Sequence, residues 1–230
     1  ESMMSAVRHL RNGCTTRHHN NWGEEPNLLA NAEKIIKGSR EVGIRIAYSP
    51  GGRDINRLAL DDTEFFETLP ADLQEFARPM VYYDKEAFAD AYLDLFEDLY
   101  SRYNNDDMRI IFGPSWAMGA TDEFMQRVKT RADELGKVQI HMHTLQTPIQ
   151  KAFGIKKYGK SLLAHLDDIG LVDENLTLGH AVYLTESDIE LLASRGASTT
   201  HHPSCNFAVR NGISPVYFLH KAGVNVALGI

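Results

Sequence analysis

Short apolar runs alternate with amphipathic stretches along the whole chain, and this alternation restricts the fold more than any other feature. The runs fall at 14–18 (CTTRH), 43–50 (GIRIAYSP), 108–114 (MRIIFGP), 138–143 (VQIHMH), 176–182 (LTLGHAV), 197–203 (ASTTHHP) and 225–230 (NVALGI). Between them the spacing predicts helices. Residues 27–42 place Leu28, Leu29, Ala32, Ile35 and Ile36 on one face, and 122–135 do the same with Phe124, Met125, Val128 and Ala132. A third helix, 185–195, opens on Thr185 three residues before Asp188 and stops at Gly196. Strands that alternate with helices predict a parallel sheet with right-handed crossovers. Near-continuous apolar strands fit a sheet covered on both faces.

The stretch 51–107 is longer than the other connections. It holds Gly51-Gly52-Arg53-Asp54, an acidic helix around Phe65 and a long helix over 85–103, and it reads as an insertion or lid region. The chain opens inside a helix and closes on a strand. Seven strands and one more upstream make the eight that close a (β/α)₈ barrel. The expected fold class is therefore α/β: residues 1–230 as the central part of a TIM barrel, incomplete, lacking the first strand and the end of the last element.

Composition removes several classes of partner. A net charge of −7 argues against a surface for nucleic acid or anionic membrane. No run of about 18 apolar residues occurs, as a membrane-spanning helix requires, and the first residues show no basic segment leading into an apolar one. Cys14 and Cys205 form no CxxC pair and fit reduced thiols, so a cytoplasmic protein is expected. No GxSxG, P-loop or GxGxxG is present, which removes the usual serine-hydrolase, nucleotide-hydrolase and dinucleotide readings.

In a parallel barrel the chemistry lies at the C-terminal ends of the strands. Seven of the ten histidines fall at or near such ends: His18, His19, His141, His143, His180, His201 and His202. Several imidazoles converging from different strands suit one divalent metal, Zn²⁺ or Fe²⁺. His141 and His143 are two apart, so in a strand both point the same way. With that face inward, His143 at the mouth reaches a metal and His141 supports it from below. His180 ends the next strand, and Gly179 before it permits close approach. At His201-His202 alternation puts one ring in and one out, without saying which. Asn206, on the loop beyond, either holds substrate or braces a neighbouring loop. Ser115 and Trp116 lie on another loop, where the indole either stacks on a flat ring or covers the barrel.

These residues resemble the amidohydrolase superfamily, in the cytosine deaminase-like branch that includes the triazine chlorohydrolases and adenosine-type deaminases. Three segments carry the likeness: His141-Met142-His143-Thr144-Leu145-Gln146-Thr147, Leu176 through Val182, and His201-His202-Pro203-Ser204-Cys205-Asn206. The last is followed by Gly212-Ile213-Ser214-Pro215-Val216, Ala222-Gly223-Val224 and Gly229-Ile230, and Gly13-Cys14-Thr15-Thr16 matches the family's second strand. The resemblance implies a mononuclear metal site with His143 as a ligand. It implies that His180 sits at the metal or hydrogen-bonds the attacking water and helps move protons. It also implies a His-x-His upstream of this chain and an aspartate beyond Ile230. The implied activity is hydrolytic deamination, or related C–N hydrolysis, of a small heterocycle, with substrate contacts from Ser115, Trp116, His202 and Asn206. The implied protein is self-associating, with no interface visible in the sequence.

Three positions depart from the family pattern. Gln146 stands where the deaminases have a glutamate, and a neutral amide cannot shuttle a proton. The sequence reads His201-His202-Pro203 where His-Asn-Pro is usual, and Ser115 follows Gly113-Pro114 where a histidine is usual. Two alternatives therefore stand beside deamination: hydrolysis of a cyclic amide or carbon–halogen bond with Gln146 orienting substrate, and a non-catalytic barrel relative.

Overall fold

The structure is a computed structural model that describes residues 2–21 and 28–229. Position 27 and Ile230, assigned above to a helix and to the last strand, lie outside the described residues. The chain divides into two units, one of residues 1–52 and 85–113, the other of 53–84 and 114–230. All the named strand pairs within each unit are parallel.

In the first unit, α1 (Ser2–Arg11) leads to β1 (Thr16–Asn21), α2 (Leu28–Val42), β2 (Arg45–Gly52), α5 (Lys85–Tyr103) and β3 (Met108–Ile110). The strands run in the order β1-β2-β3. Strand β1 starts two residues later than its apolar run, because Gly13 turns at φ 82° and holds Cys14 and Thr15 in the connection. His18 and His19 therefore lie inside the strand rather than at its end. His18 Nε2 is 2.9 Å from Ser49 Oγ, and His19 stacks on Tyr48. Helix α5 has the bounds read from sequence, and it is the crossover helix into β3, burying Ala89, Tyr92, Phe96 and Leu99 along one stripe. Phe96 stacks on Phe112 at 3.5 Å between ring centroids. The buried Tyr92 hydroxyl donates to the Pro50 carbonyl at 3.1 Å and accepts from the Gly113 amide at 3.0 Å. Burial also pushes this phenol well above its ordinary range.

The second unit begins with α3 (Asp62–Glu67) and α4 (Ala71–Val81). Asp54, 1% exposed, fastens this segment: its carboxylate accepts from the Thr121 amide at 2.8 Å and from the Thr121 hydroxyl. Within 51–107, what exceeds an ordinary crossover is thus the α3–α4 stretch. The unit continues through β4 (Gly113–Pro114, at the boundary), α6 (Asp122–Glu134), β5 (Ile140–Thr144), α7 (Pro148–Tyr158), α8 (Leu162–Asp168), β6 (Leu176–His180), α9 (Glu186–Arg195), β7 (Ser198–His201), α10 (Pro203–Ala208), α11 (Val216–Lys221) and β8 (Asn225–Leu228). Its sheet runs β5-β6-β7-β8. One face buries Ile140, Met142, Leu176 and Leu178 completely or nearly so. Thr185 caps α9 in a reciprocal pair with Asp188, and Gly196 ends it at φ 73°, as the sequence predicts. Among the described residues no helix is long and apolar enough to cross a membrane.

Helices α7 and α8 meet at Gly154, where an added Cβ would lie 2.7 Å from the Leu162 backbone nitrogen. That neighbour cannot rotate away. Gly154→Val should cost ~2 kcal/mol or more, read as a lowered urea midpoint in the intact protein; an unchanged midpoint would refute the contact.

The His19 imidazole is held at about 4, chiefly by burial and then by the Arg17 charge. Unfolded, it takes its proton near 6.5. Between these values the unfolded chain binds the extra proton, so stability rises with pH across that window and is lost as pH falls through it. Burial lowers His180 and His201 in the same sense. The expected share of His19 is therefore the difference between parent and His19→Gln: a shallower loss of stability between pH 6.5 and 4 in the variant, by at most ~1.4 kcal/mol per pH unit. Identical slopes in pH-dependent urea melts would remove His19 from the account.

Candidate active site

The ends of β5, β6 and β7 bring four histidines together. Ring centroids are 5.4 Å apart for His141 and His143, 5.1 Å for His143 and His180, and 4.4 Å for His180 and His202. His141 and His143 share a face of β5, as their spacing requires. His141 is 3% exposed and His143 half-buried, which makes His141 the deeper of the two.

His180 reaches this cluster by a less obvious route. In the parallel register His143 lies opposite Gly179, and Thr144 opposite His180. Strict alternation would put the His180 side chain on the Met142–Leu178 face, away from His143. The strand does not continue regularly. His180 has φ 73°, and the Ala181 amide donates to the Gly179 carbonyl at 3.0 Å. A bond across two residues with a central φ near +75° is a γ-turn of the rare, strained kind. Ala181 follows at φ 47° and Leu145 ends β5 at φ 51°. The Ala181 amide also reaches Thr144 O at 3.2 Å, and Val182 and Tyr183 donate to Leu145 O at 3.1 and 3.0 Å. Non-glycine residues in this region cost on the order of 1–3 kcal/mol each. Here the cost swings His180 back to the histidine face, where its Nε2 stands 3.0 Å from His143 Nδ1.

Gly179 serves the β5 histidines rather than His180. A Cβ there would lie 3.2 Å from both Cε1 and Nε2 of His141 and 3.4 Å from His143 Nδ1. His202, not His201, stacks on His180, because β7 ends at His201 and His202 is the cap of α10 with φ −114° and ψ 73°. Its Nε2 is 2.7 Å from Thr200 Oγ1, and Gly229 leaves room for the ring.

The remaining candidates divide. Asn206, assigned above to substrate, is 0% exposed, and its Oδ1 accepts from His180 Nδ1 at 2.7 Å. Of the two roles left open above, substrate contact or brace, this contact matches a brace. Ser115 is also buried, and its carbonyl accepts from the His143 amide at 3.2 Å; Trp116 forms a parallel bridge with His143. The Trp116 indole lies against Gly119 with the Arg53 guanidinium 5.6 Å over its ring. Gln146 is half-buried before α7, its backbone N–H donating to Gln150 Oε1 at 2.9 Å.

Burial holds His180 below the usual imidazole range; the Asn206 bond opposes this and the His201 charge adds to it. A neutral ring is the form that binds metal. Two imidazole nitrogens on a tetrahedral zinc with bonds of ~2.0–2.1 Å lie about 3.3 Å apart, close to the 3.0 Å seen between His143 and His180. The pair therefore fits as two ligands of one ion. Among the described residues no group of three or more His, Cys, Asp or Glu side chains is arranged to hold a metal.

Gly179→Ala should crowd both β5 rings. Metal affinity of the intact protein, measured by chelator competition, is expected to fall about tenfold, at the low end of supporting-residue effects; affinity within twofold of the parent would show that the rings have slack.

Comparison with known proteins identifies the family. The family model described as the amidohydrolase family matches residues 3–230. The chain is 34% identical over 122 residues to the 5'-deoxyadenosine deaminase of Methanosarcina mazei, covering 53% of this chain and 28% of that protein. It is 29% identical over 197 residues to the 5-methylthioadenosine/S-adenosylhomocysteine deaminase of Thermococcus sibiricus, covering 86% and 40%. Among solved structures, an adenosine deaminase from Xanthomonas campestris with bound zinc superposes with a TM-score of 0.72 at 26% identity, covering 99% of this chain and 44% of that one. The atrazine chlorohydrolase of Arthrobacter aurescens complexed with zinc gives 0.78 at 19% identity, covering 99% and 47%, and shares the fold. The chain thus spans less than half the length of these relatives.

Proposed function

From a chain that belongs to the amidohydrolase family, we propose a protein that is a metal-dependent hydrolase of C–N bonds, deaminating a small amino-heterocycle, with an aminopurine nucleoside as the substrate class. The observation that carries this is the His143–His180 pair, with facing ring nitrogens 3.0 Å apart. The names of the relatives support the substrate class: deaminases of 5'-deoxyadenosine, of methylthioadenosine and S-adenosylhomocysteine, and of adenosine.

His143 and His180 would hold one divalent ion, zinc or iron, with further ligands from parts of the protein outside these residues. When bound, such an ion acts as a Lewis acid that makes water a nucleophile near neutral pH. The chain's own groups position and polarise. His141 and Gly179 set the place of the His143 ring. His180, kept neutral by burial, offers its Nε2 toward the reacting centre. His202 stacks on that ring and would be the group for proton transfer to a leaving amine. Gln146 and Trp116 are the substrate-facing candidates, the first by hydrogen bonds and the second by stacking. The same reading makes the protein cytoplasmic, supported by its two free cysteines, and a homo-oligomer with a small-molecule substrate and no nucleic-acid or membrane partner.

A second reading rests on Gln146. Without a carboxylic acid at this place, hydrolysis of a carbon–halogen bond is favoured, because halide leaves without a proton; the nitrogen of a cyclic amide, the other substrate of this reading, would take its proton from another group. Gln146→Glu separates the two. A glutamate acting as general acid contributes ~10²–10⁴-fold, so the variant should deaminate aminopurine nucleosides at least tenfold faster than the parent. Absence of deamination in both proteins would sink the deaminase reading. In the intact parent, bound metal below about 0.2 equivalents would sink both, since catalytic and structural zinc sites fill close to stoichiometrically.

A further inference from the structure

We propose that Asn206 is a positioning residue that fixes the tautomer of His180. A neutral imidazole carries one proton, on either nitrogen, and the partner of one nitrogen decides the state of the other. His180 Nδ1 lies 2.7 Å from Asn206 Oδ1. An amide oxygen only accepts, so the proton is on Nδ1 and Nε2 is left with its lone pair. That bare nitrogen is the one facing His143 Nδ1 at 3.0 Å. In the other tautomer two lone pairs would oppose each other at the Asn206 contact, and an N–H would occupy the space beside His143. Asn206 is 0% exposed, so water does not reach the contact to replace it.

The mount of Asn206 is equally specific. Its backbone amide donates to His202 O at 2.9 Å, and its backbone carbonyl accepts from the Asn211 backbone amide at 2.8 Å. Helix α10, with Pro203 in its first turn, thus fixes the backbone of the asparagine from both sides. The γ-turn sets the backbone of His180, and Asn206 sets which nitrogen of its ring is available. The consequence for metal binding rests on the reading given under Proposed function; the tautomer itself does not.

The test is nitrogen-15 NMR of histidine-labelled intact protein without metal, for the parent, Asn206→Asp and Asn206→Leu. The parent should show His180 with Nδ1 protonated and Nε2 bare, and Asn206→Asp, which keeps an acceptor oxygen, should keep the proton on Nδ1. Asn206→Leu should shift His180 to the Nε2–H form or a mixture, and its zinc affinity should drop about 10–100-fold, as for other groups that orient ligand histidines. Retention of the Nδ1–H form in Asn206→Leu would overturn the proposal. So would an Nε2–H signal in the parent, a result that needs no variant to fold. Loss of the tautomer in Asn206→Leu alongside a parent that binds no zinc would uphold the role of Asn206 while removing the metal reading.

Discussion

One backbone turn decides whether there is a site. The β5–β6 register pairs His143 with Gly179 and Thr144 with His180. Continued as a regular strand, β6 would send His180 to the face of Leu178 and Met142, and two of the histidines would lie on opposite sides of the sheet. The left-handed turn at His180 reverses that outcome. It persists because its neighbours over-determine it: Ala181, Val182 and Tyr183 all donate to the ends of β5 or β6. Strain of this kind accumulates where a fold gives up local comfort for a side-chain position, and here the position gained is a nitrogen 3.0 Å from His143.

His180 is then tuned chiefly by burial. Thr200 meets His202, Asn206 meets His180, and the bare Cα of Gly179 meets His141 and His143. A neutral brace orients an imidazole without stabilising its protonated form as strongly as a carboxylate would. Burial, acting on His180, pushes the same way. The result is a ring that keeps a lone pair available at neutral pH.

Much of this was legible in the sequence, and the limits have identifiable causes. Periodicity reports which face a side chain takes while an element stays regular. It therefore placed α5 and the Thr185–Asp188 cap of α9, and it put His141 and His143 on one face. It failed where regular structure stops. The strand β1 begins beyond a glycine turn, so His18 and His19 fall mid-strand. His202 turned out to face His180 because a strand had ended one residue earlier, which no alternation shows. Asn206 was open between substrate and brace because its partner lies 26 positions away, joined only by the packing of α10. Ser115 contributes a carbonyl, and backbone roles leave no trace in residue type. The pair Gly179-His180 was a signal for close approach; its beneficiaries, on the neighbouring strand, required the register.

Gln146 is where fold and chemistry separate. The family membership of the chain rests on residues 3–230, and a change of one carboxylate to an amide leaves that untouched. The reaction is more sensitive. An amine is a poor leaving group unless it is protonated, and an amide side chain holds no proton that it can give up near neutral pH. For deamination to proceed, the proton must come from another group at the site. His202 is the one best placed by geometry, stacked at 4.4 Å on His180 and bonded through Nε2 to Thr200. The sequence carries both departures together: a glutamine in place of the acid, and a second histidine where the family has asparagine. If the two changes compensate, the acid–base group of this site has moved from the end of β5 to the end of β7, while the His143–His180 pair between them has stayed where the register and the γ-turn put it.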